Sequence, residues 1–149
     1  MRTIARLSIL GLTLLMTALL LVSCGEKKQG EVLVTEEKFA LRQDSHHSWV
    51  MDAEGKVKNV GPVDVKNVVV TGDCKSCDEI MKSDEWFITE YEKTKEQKDS
   101  INYLASGQEA SFSFRDVAFL VNKSGTLGRP NNFPSEMEVE VVSFETISD

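Results

Sequence analysis

The sequence predicts an all-β domain, a β-sandwich of about seven short strands. Three observations predict it. Segments such as Ala110-Ser111-Phe112-Ser113-Phe114 alternate apolar and polar residues with the period of two that buries one face of a strand. β-Branched residues concentrate in Val63-Asp64-Val65-Lys66-Asn67-Val68-Val69-Val70-Thr71. Turn-forming clusters such as Asn59-Val60-Gly61-Pro62 separate the segments. A chain of 149 residues has room for one domain. Its 41% hydrophobic and 28% charged residues match a chain that folds rather than a disordered one. The net charge of −7 argues against a nucleic-acid partner, which needs a basic face.

Residues 1–23 read as a secretory signal and not as part of the fold. Arg2 and Arg6 give a positive start, and an uncharged apolar run extends from Leu7 to Val22. Leu21-Val22-Ser23-Cys24 looks like a bacterial lipobox. In signals of that kind the cysteine thiol takes a diacylglyceryl group, the chain is cut before it, and Cys24 becomes the acylated first residue. The apolar run is only just long enough to span a bilayer, so an uncleaved anchor is the alternative. The polar stretch Gly25-Glu26-Lys27-Lys28-Gln29-Gly30 directly after Cys24 fits the lipoprotein. Two or three acyl chains would hold firmly, at about 0.8 kcal/mol per buried methylene. Gly25, rather than an aspartate, follows the cysteine, which points to the outer membrane of a two-membrane bacterium. Cleavage removes Arg2 and Arg6 and no carboxylate, so the mature domain is more acidic than the whole chain. Anionic headgroups repel such a surface, and the domain is expected to stand off on its tether. The expected organisation is a signal at 1–23, an acylated N-terminus and linker at 24–31, and a sandwich at 32–149.

The elements follow in order. Val32 to Leu41 is an irregular first strand, and Ser45-His46-His47 is a turn. Trp49 to Asn59 alternates, with Gly55 interrupting it as a bulge or bend. After the turn at Asn59-Val60-Gly61-Pro62, the β-branched strand runs to Thr71 and ends at Gly72-Asp73. Residues 77–100 are rich in Glu, Lys and Gln, which favour helix. The expectation there is a short helix after Cys77, at Asp78 to Lys82, then a strand from Glu85 to Tyr91 and a charged, exposed excursion from Glu92 to Asp99. Ala105 to Glu109 is a turn, Ala110 to Phe114 and Val117 to Val121 are strands, and Gly125 to Pro134 is a long loop. Met137 to Phe144 is the last strand, with Met137, Val139, Val141 and Ser143 on one side.

Three stretches carry a resemblance: Gly55-Lys56-Val57-Lys58-Asn59, Val65-Lys66-Asn67-Val68-Val69-Val70, and Leu104-Ala105-Ser106-Gly107-Gln108-Glu109-Ala110-Ser111-Phe112. Together they resemble the FxLYD domain of bacterial envelope proteins, over residues 46–145. The aromatic-Asp segment that usually follows the central strand is replaced here by Thr71-Gly72-Asp73-Cys74-Lys75-Ser76-Cys77. The resemblance implies an immunoglobulin-like β-sandwich with no assigned catalytic activity.

Cys74-Lys75-Ser76-Cys77 is the one constellation with reactive potential. An exported thiol pair tends to oxidise, so a local structural disulfide is the first reading. A redox pair, with Cys74 attacking and Cys77 resolving, is the second. It wants a helix start to lower the thiol pKa, whereas Asp73, Asp78 and Glu79 work the other way. A metal site is the third, with His46 or His47 joining the two cysteines, since one such pair supplies only two of four zinc ligands. Solvated turn histidines are the alternative. Trp49 and Trp86 are either ligand-stacking or packing residues. Glu136, Glu138 and Glu140 look like a solvated strand face, and no calcium loop, hydrolase elbow, zincin motif or phosphate loop is present. No cofactor is implied.

The function expected is that of a non-enzymatic, lipid-anchored protein of the bacterial cell envelope. It would bind or scaffold another envelope protein, and its other contact would be the membrane itself through the acyl chains. An envelope thiol–disulfide protein and a metal-binding lipoprotein are the alternatives.

Overall fold

A computed structural model describes residues 28–89 and 92–147. The signal at 1–23, lipidation at Cys24, part of the linker and Tyr91 lie outside them. The described chain is a sandwich of seven strands: β1 (Val32–Ser45), β2 (Ser48–Asn59), β3 (Val65–Cys74), β4 (Trp86–Phe87), β5 (Lys98–Leu104), β6 (Glu109–Val121) and β7 (Met137–Thr146). One sheet has the order β1-β2-β6-β4 and the other β5-β3-β7, with every neighbouring pair antiparallel. Alternation explains the core. Met51, Ala53 and Val57 of β2 and Phe112 and Phe114 of β6 point in from one sheet. Val65, Val68 and Val70 of β3, Leu104 of β5 and Val139 of β7 meet them from the other.

Gly55 and Gly72 permit close approaches. A Cβ on Gly55 would lie 2.0 Å from the Glu36 carbonyl and 2.6 Å from the Phe112 ring. Gly55 itself stays in register with Glu37 and Phe112, and the nearby bulge falls at Thr35 on β1. Gly72 lies under Val117, so β3 and β6 approach across the sandwich where a Cβ would come within 2.6 Å.

Five expectations need correction. No helix follows Cys77. The Asp78 N–H donates to the Trp86 carbonyl at 2.9 Å, and the Asp78 carbonyl accepts from Ile88 N–H at 2.9 Å, so the groups that would open a helix are committed to β4. Among the described residues of the expected strand from Glu85 to Tyr91, only Trp86 and Phe87 form one, β4, which borders the end of β6. β3 does not stop at Gly72-Asp73: both residues pair with β7, and the strand runs on to Cys74. The excursion at Glu92 to Asp99 is not wholly exposed. Gln97 is buried, donates to the Asp116 carbonyl at 2.9 Å and accepts from Thr94 N–H at 2.9 Å, and β5 already begins at Lys98. On β7 the inward set starts as expected with Met137, Val139 and Val141. An extra residue at Val142 then shifts the alternation, so Phe144 rather than Ser143 packs against the core.

Bulges recruit polar groups. Asn67 on β3 adopts a φ of 52° and Asp116 on β6 a φ of 62°. Opposite Asp52, β6 carries Arg115, Asp116 and Val117, and Arg42 from β1 spans the irregularity. Its guanidinium reaches Asp52 at 2.6 Å and Asp116 at 2.6 Å. The hydrogen bond and charge of Asp52, helped by Asp116, raise the Arg42 pKa above its ordinary value.

Candidate functional site

The cysteine loop sits where β3 ends beside the start of β7. Cys74 and Cys77 are joined as a disulfide with Cα atoms 5.4 Å apart. Cys74 is 2% exposed and belongs to the core, and Cys77 packs against it half-buried. The loop is tied on two sides. Lys75 N–H donates to the Glu136 carbonyl at 2.9 Å, and the Ser76 hydroxyl accepts from Ser135 N–H and Glu136 N–H, both at 3.1 Å. On the other side Asp78 bonds to β4, as above. The disulfide therefore acts as a bracket between β3, β4 and the β7 entry. No helix stands behind it to lower a thiol pKa.

The histidines occupy the two-residue turn between β1 and β2, both exposed. His47 Nδ1–H donates to the Gly125 carbonyl at 2.7 Å, and the His46 carbonyl accepts from Leu127 N–H at 2.9 Å. Their turn is stitched to the loop at 125–134. Both tryptophans hold that same loop: Trp49 Nε1–H donates to the Leu127 carbonyl at 3.2 Å, and Trp86 Nε1–H to the Asn132 carbonyl at 2.9 Å. Indole donors spent on backbone carbonyls mark these rings as packing and anchoring residues.

The structure does not gather Cys74, Cys77, His46 and His47 into a ligand set. The two sulfurs are bonded to each other. Among the described residues, the group of carboxylates, thiols or imidazoles close enough to share an ion is instead Asp73, Glu138 and Glu140. Asp73 pairs with Glu138 across β3 and β7, and Glu140 follows two residues later on the same face. Lys75 forms an ion pair with Glu138. Its hydrogen bond, with a second from Glu140, holds the Glu138 carboxyl below the ordinary range. Glu140 is pushed the opposite way, by its hydrogen bond to Glu138, by partial burial and by the charges of Glu138 and Asp73. Periodicity could place Glu138 and Glu140 together on one strand face. The register that adds Asp73 from another strand has no signal in the sequence.

A second organised point lies at the opposite end of β3. Asn59 is fully buried. Its Nδ2 donates to the carbonyls of Val63 at 2.8 Å and Leu104 at 3.1 Å, and its Oδ1 accepts from Gly61 N–H at 3.0 Å. Its backbone bonds Gln108 and Gly107, so one residue joins the β2–β3 and β5–β6 turns. Nearby, Asp64 accepts from the Tyr103 hydroxyl and from Ser106 N–H, which together lower its pKa.

Compared with family models, curated proteins and solved structures, the chain matches none.

Proposed function

We infer that this chain is a lipid-anchored protein of a bacterial cell envelope, whose β-sandwich is non-catalytic and binds another envelope component. The observation that carries the inference is the order of features along the chain. A positive start and an apolar run lead to Leu21-Val22-Ser23-Cys24, a polar spacer follows, and then comes a β-sandwich. In a two-membrane cell the anchor lies in the outer membrane. The FxLYD-like stretches support the same role, since their residues are spent on strands and turns. At the cysteine loop, burial of Cys74 and the β4 contacts that replace a helix favour a structural bracket over thiol exchange. The bonded sulfurs and the loop-bound His47 likewise weigh against a metal carrier.

The test is expression of the full chain in bacteria fed a labelled fatty acid, with mass analysis of the N-terminus and membrane fractionation. The expected result is acyl label on Cys24, lost in Cys24→Ala. A retained leader with an unmodified thiol overturns the anchor. Catalytic turnover by the purified protein, abolished by one side-chain change, overturns the non-catalytic role. Rapid equilibration of Cys74–Cys77 with a glutathione buffer would restore the thiol–disulfide reading.

A further inference from the structure

The sandwich is uneven at one seam. Its four-stranded sheet ends in β1 and its three-stranded sheet ends in β7, and among the described residues no strand pairs with β7 on the side away from β3. Between the two edges runs a cleft of about 390 Å³, lined by Val34, Thr35, Glu36, Glu37, Glu138 and Val139. The N–H of Val139 points into this seam. In place of a strand carbonyl it finds a side chain, the Glu37 carboxylate, at 2.8 Å.

The other edges are defended. β4 is two residues long. At the opposite seam, the Asp99 carboxylate accepts from Ser113 N–H at 2.9 Å and the Glu96 carbonyl accepts from Arg115 N–H at 2.8 Å, so β5 and its approach close over β6. The free edge of β1 carries Glu36, Glu37, Lys38, Arg42 and Asp44, charges that discourage pairing. β7 spans ten residues with neither lysine nor proline, and its Val142 is 56% exposed. Its charged residues, Glu138, Glu140 and Glu145, share one sign, so this edge discourages acidic strands and leaves a template for addition of a cationic one.

Charge decides the occupant. The outward face beside this edge carries Asp73, Glu138 and Glu140 against Lys75. A second copy of β7 laid antiparallel would set glutamates against glutamates, and like charges across a strand pair are destabilising. Lysine or arginine on an incoming strand would instead stand beside Glu138 and Glu140. Its alternate apolar residues would enter the seam toward Val34 and Val139. We propose that the free edge of β7 is a docking site for an extended basic segment of a partner protein, one that alternates cationic and apolar residues and adds as an eighth strand. Glu37 holds the Val139 N–H until the partner's backbone carbonyl replaces it. The raised pKa of Glu140 is consistent with a face on which three carboxylates share one lysine. The proposal rests on the binding role inferred above and names the edge and the chemistry that perform it.

The test uses the full chain in detergent micelles and the peptide acetyl-Lys-Val-Lys-Val-Lys-Val-Lys-amide. Two control peptides replace Lys by Glu or block the residues as four lysines followed by three valines. Binding is read by titration, and the edge by hydrogen exchange at the Val139 amide. The alternating basic peptide is expected to bind best, to protect Val139 and to weaken with salt. Glu138→Gln with Glu140→Gln should weaken it about tenfold, since two cross-strand charge pairs are lost. Glu37→Ala should tighten it by removing the internal competitor. Equal binding of the acidic or the blocked peptide, or no response to the Glu138/Glu140 change, overturns the proposal. So does a Val139 amide already protected by a β7–β7 dimer or by another segment of this chain. Acylation of Cys24 is measured separately, so loss of the anchor and loss of edge binding are distinguishable results.

Discussion

Replacing Asn59 by alanine tests whether one buried amide holds two turns of this sandwich together. The side chain is fully buried and makes three hydrogen bonds to backbone, at 2.8 Å to Val63, 3.1 Å to Leu104 and 3.0 Å from Gly61. Alanine removes all three and takes this partner from two carbonyls, while the Gly61 N–H keeps its second acceptor, the Glu31 carbonyl, at 3.2 Å. A typical bond contributes about 1 kcal/mol net, and a stranded buried group costs about 1–3 kcal/mol. The expected loss is therefore on the order of 3–4 kcal/mol, a large share of the roughly 5–15 kcal/mol available to a domain. Urea unfolding followed by tryptophan fluorescence measures it, with a lower midpoint and an unchanged slope. Asn59→Asp sharpens the argument. It keeps an acceptor for Gly61, loses both donors and buries a charge, so it should be at least as damaging at neutral pH and should recover toward acid as the carboxylate takes a proton. An Asn59→Ala protein within about 0.5 kcal/mol of the parent, the scatter of ordinary surface changes, would refute the reasoning.

Four further outcomes follow from the geometry. The double change Cys74→Ser with Cys77→Ser should cost about 2 kcal/mol, the chain-entropy value for a four-residue ring, and Cys74→Ser alone should cost more than Cys77→Ser because its position is buried; unfolding curves with and without reductant check both. Glu140→Gln should stabilise the protein at neutral pH, because a carboxyl with a raised folded pKa opposes folding once it is ionised, and the gain should vanish as pH falls below the carboxylate range. Glu138→Gln should do the reverse, losing a contribution present above the unfolded carboxylate pKa and absent in acid, and paired pH titrations of stability separate the two signs. Gly55→Ala should cost about 3 kcal/mol or more, because its Cβ would lie 2.0 Å from the Glu36 carbonyl and the backbone of β1 must move; faster amide exchange in β1 would report that movement.

Strand content was legible because the signal is local. Phe112 and Phe114, the valines of β3 and the start of β7 announce their buried face by period two alone, and the turns at His46-His47 and Asn59 to Pro62 announce themselves by composition. Cys74 and Cys77 were legible as a pair for the same reason of spacing. Residues 78–88 were not, because their helical composition is overridden by hydrogen bonds to β4, a segment whose own place depends on β6.

The sequence by itself determined that this chain forms a β-sandwich, roughly where most of its strands lie, and that Cys74 and Cys77 are spaced to pair. Tertiary structure alone decided the strand order, the bulges at Thr35, Asn67, Asp116 and Val142, the burial of Asn59 and Gln97, and the meeting of Asp73 with Glu138 and Glu140. It also decided that no strand pairs with the outer side of β7 among the described residues. Alternation records which face of a strand is buried, because successive side chains point to opposite faces. It carries no record of which strand lies alongside or in what register, because those depend on contacts between residues far apart in the chain.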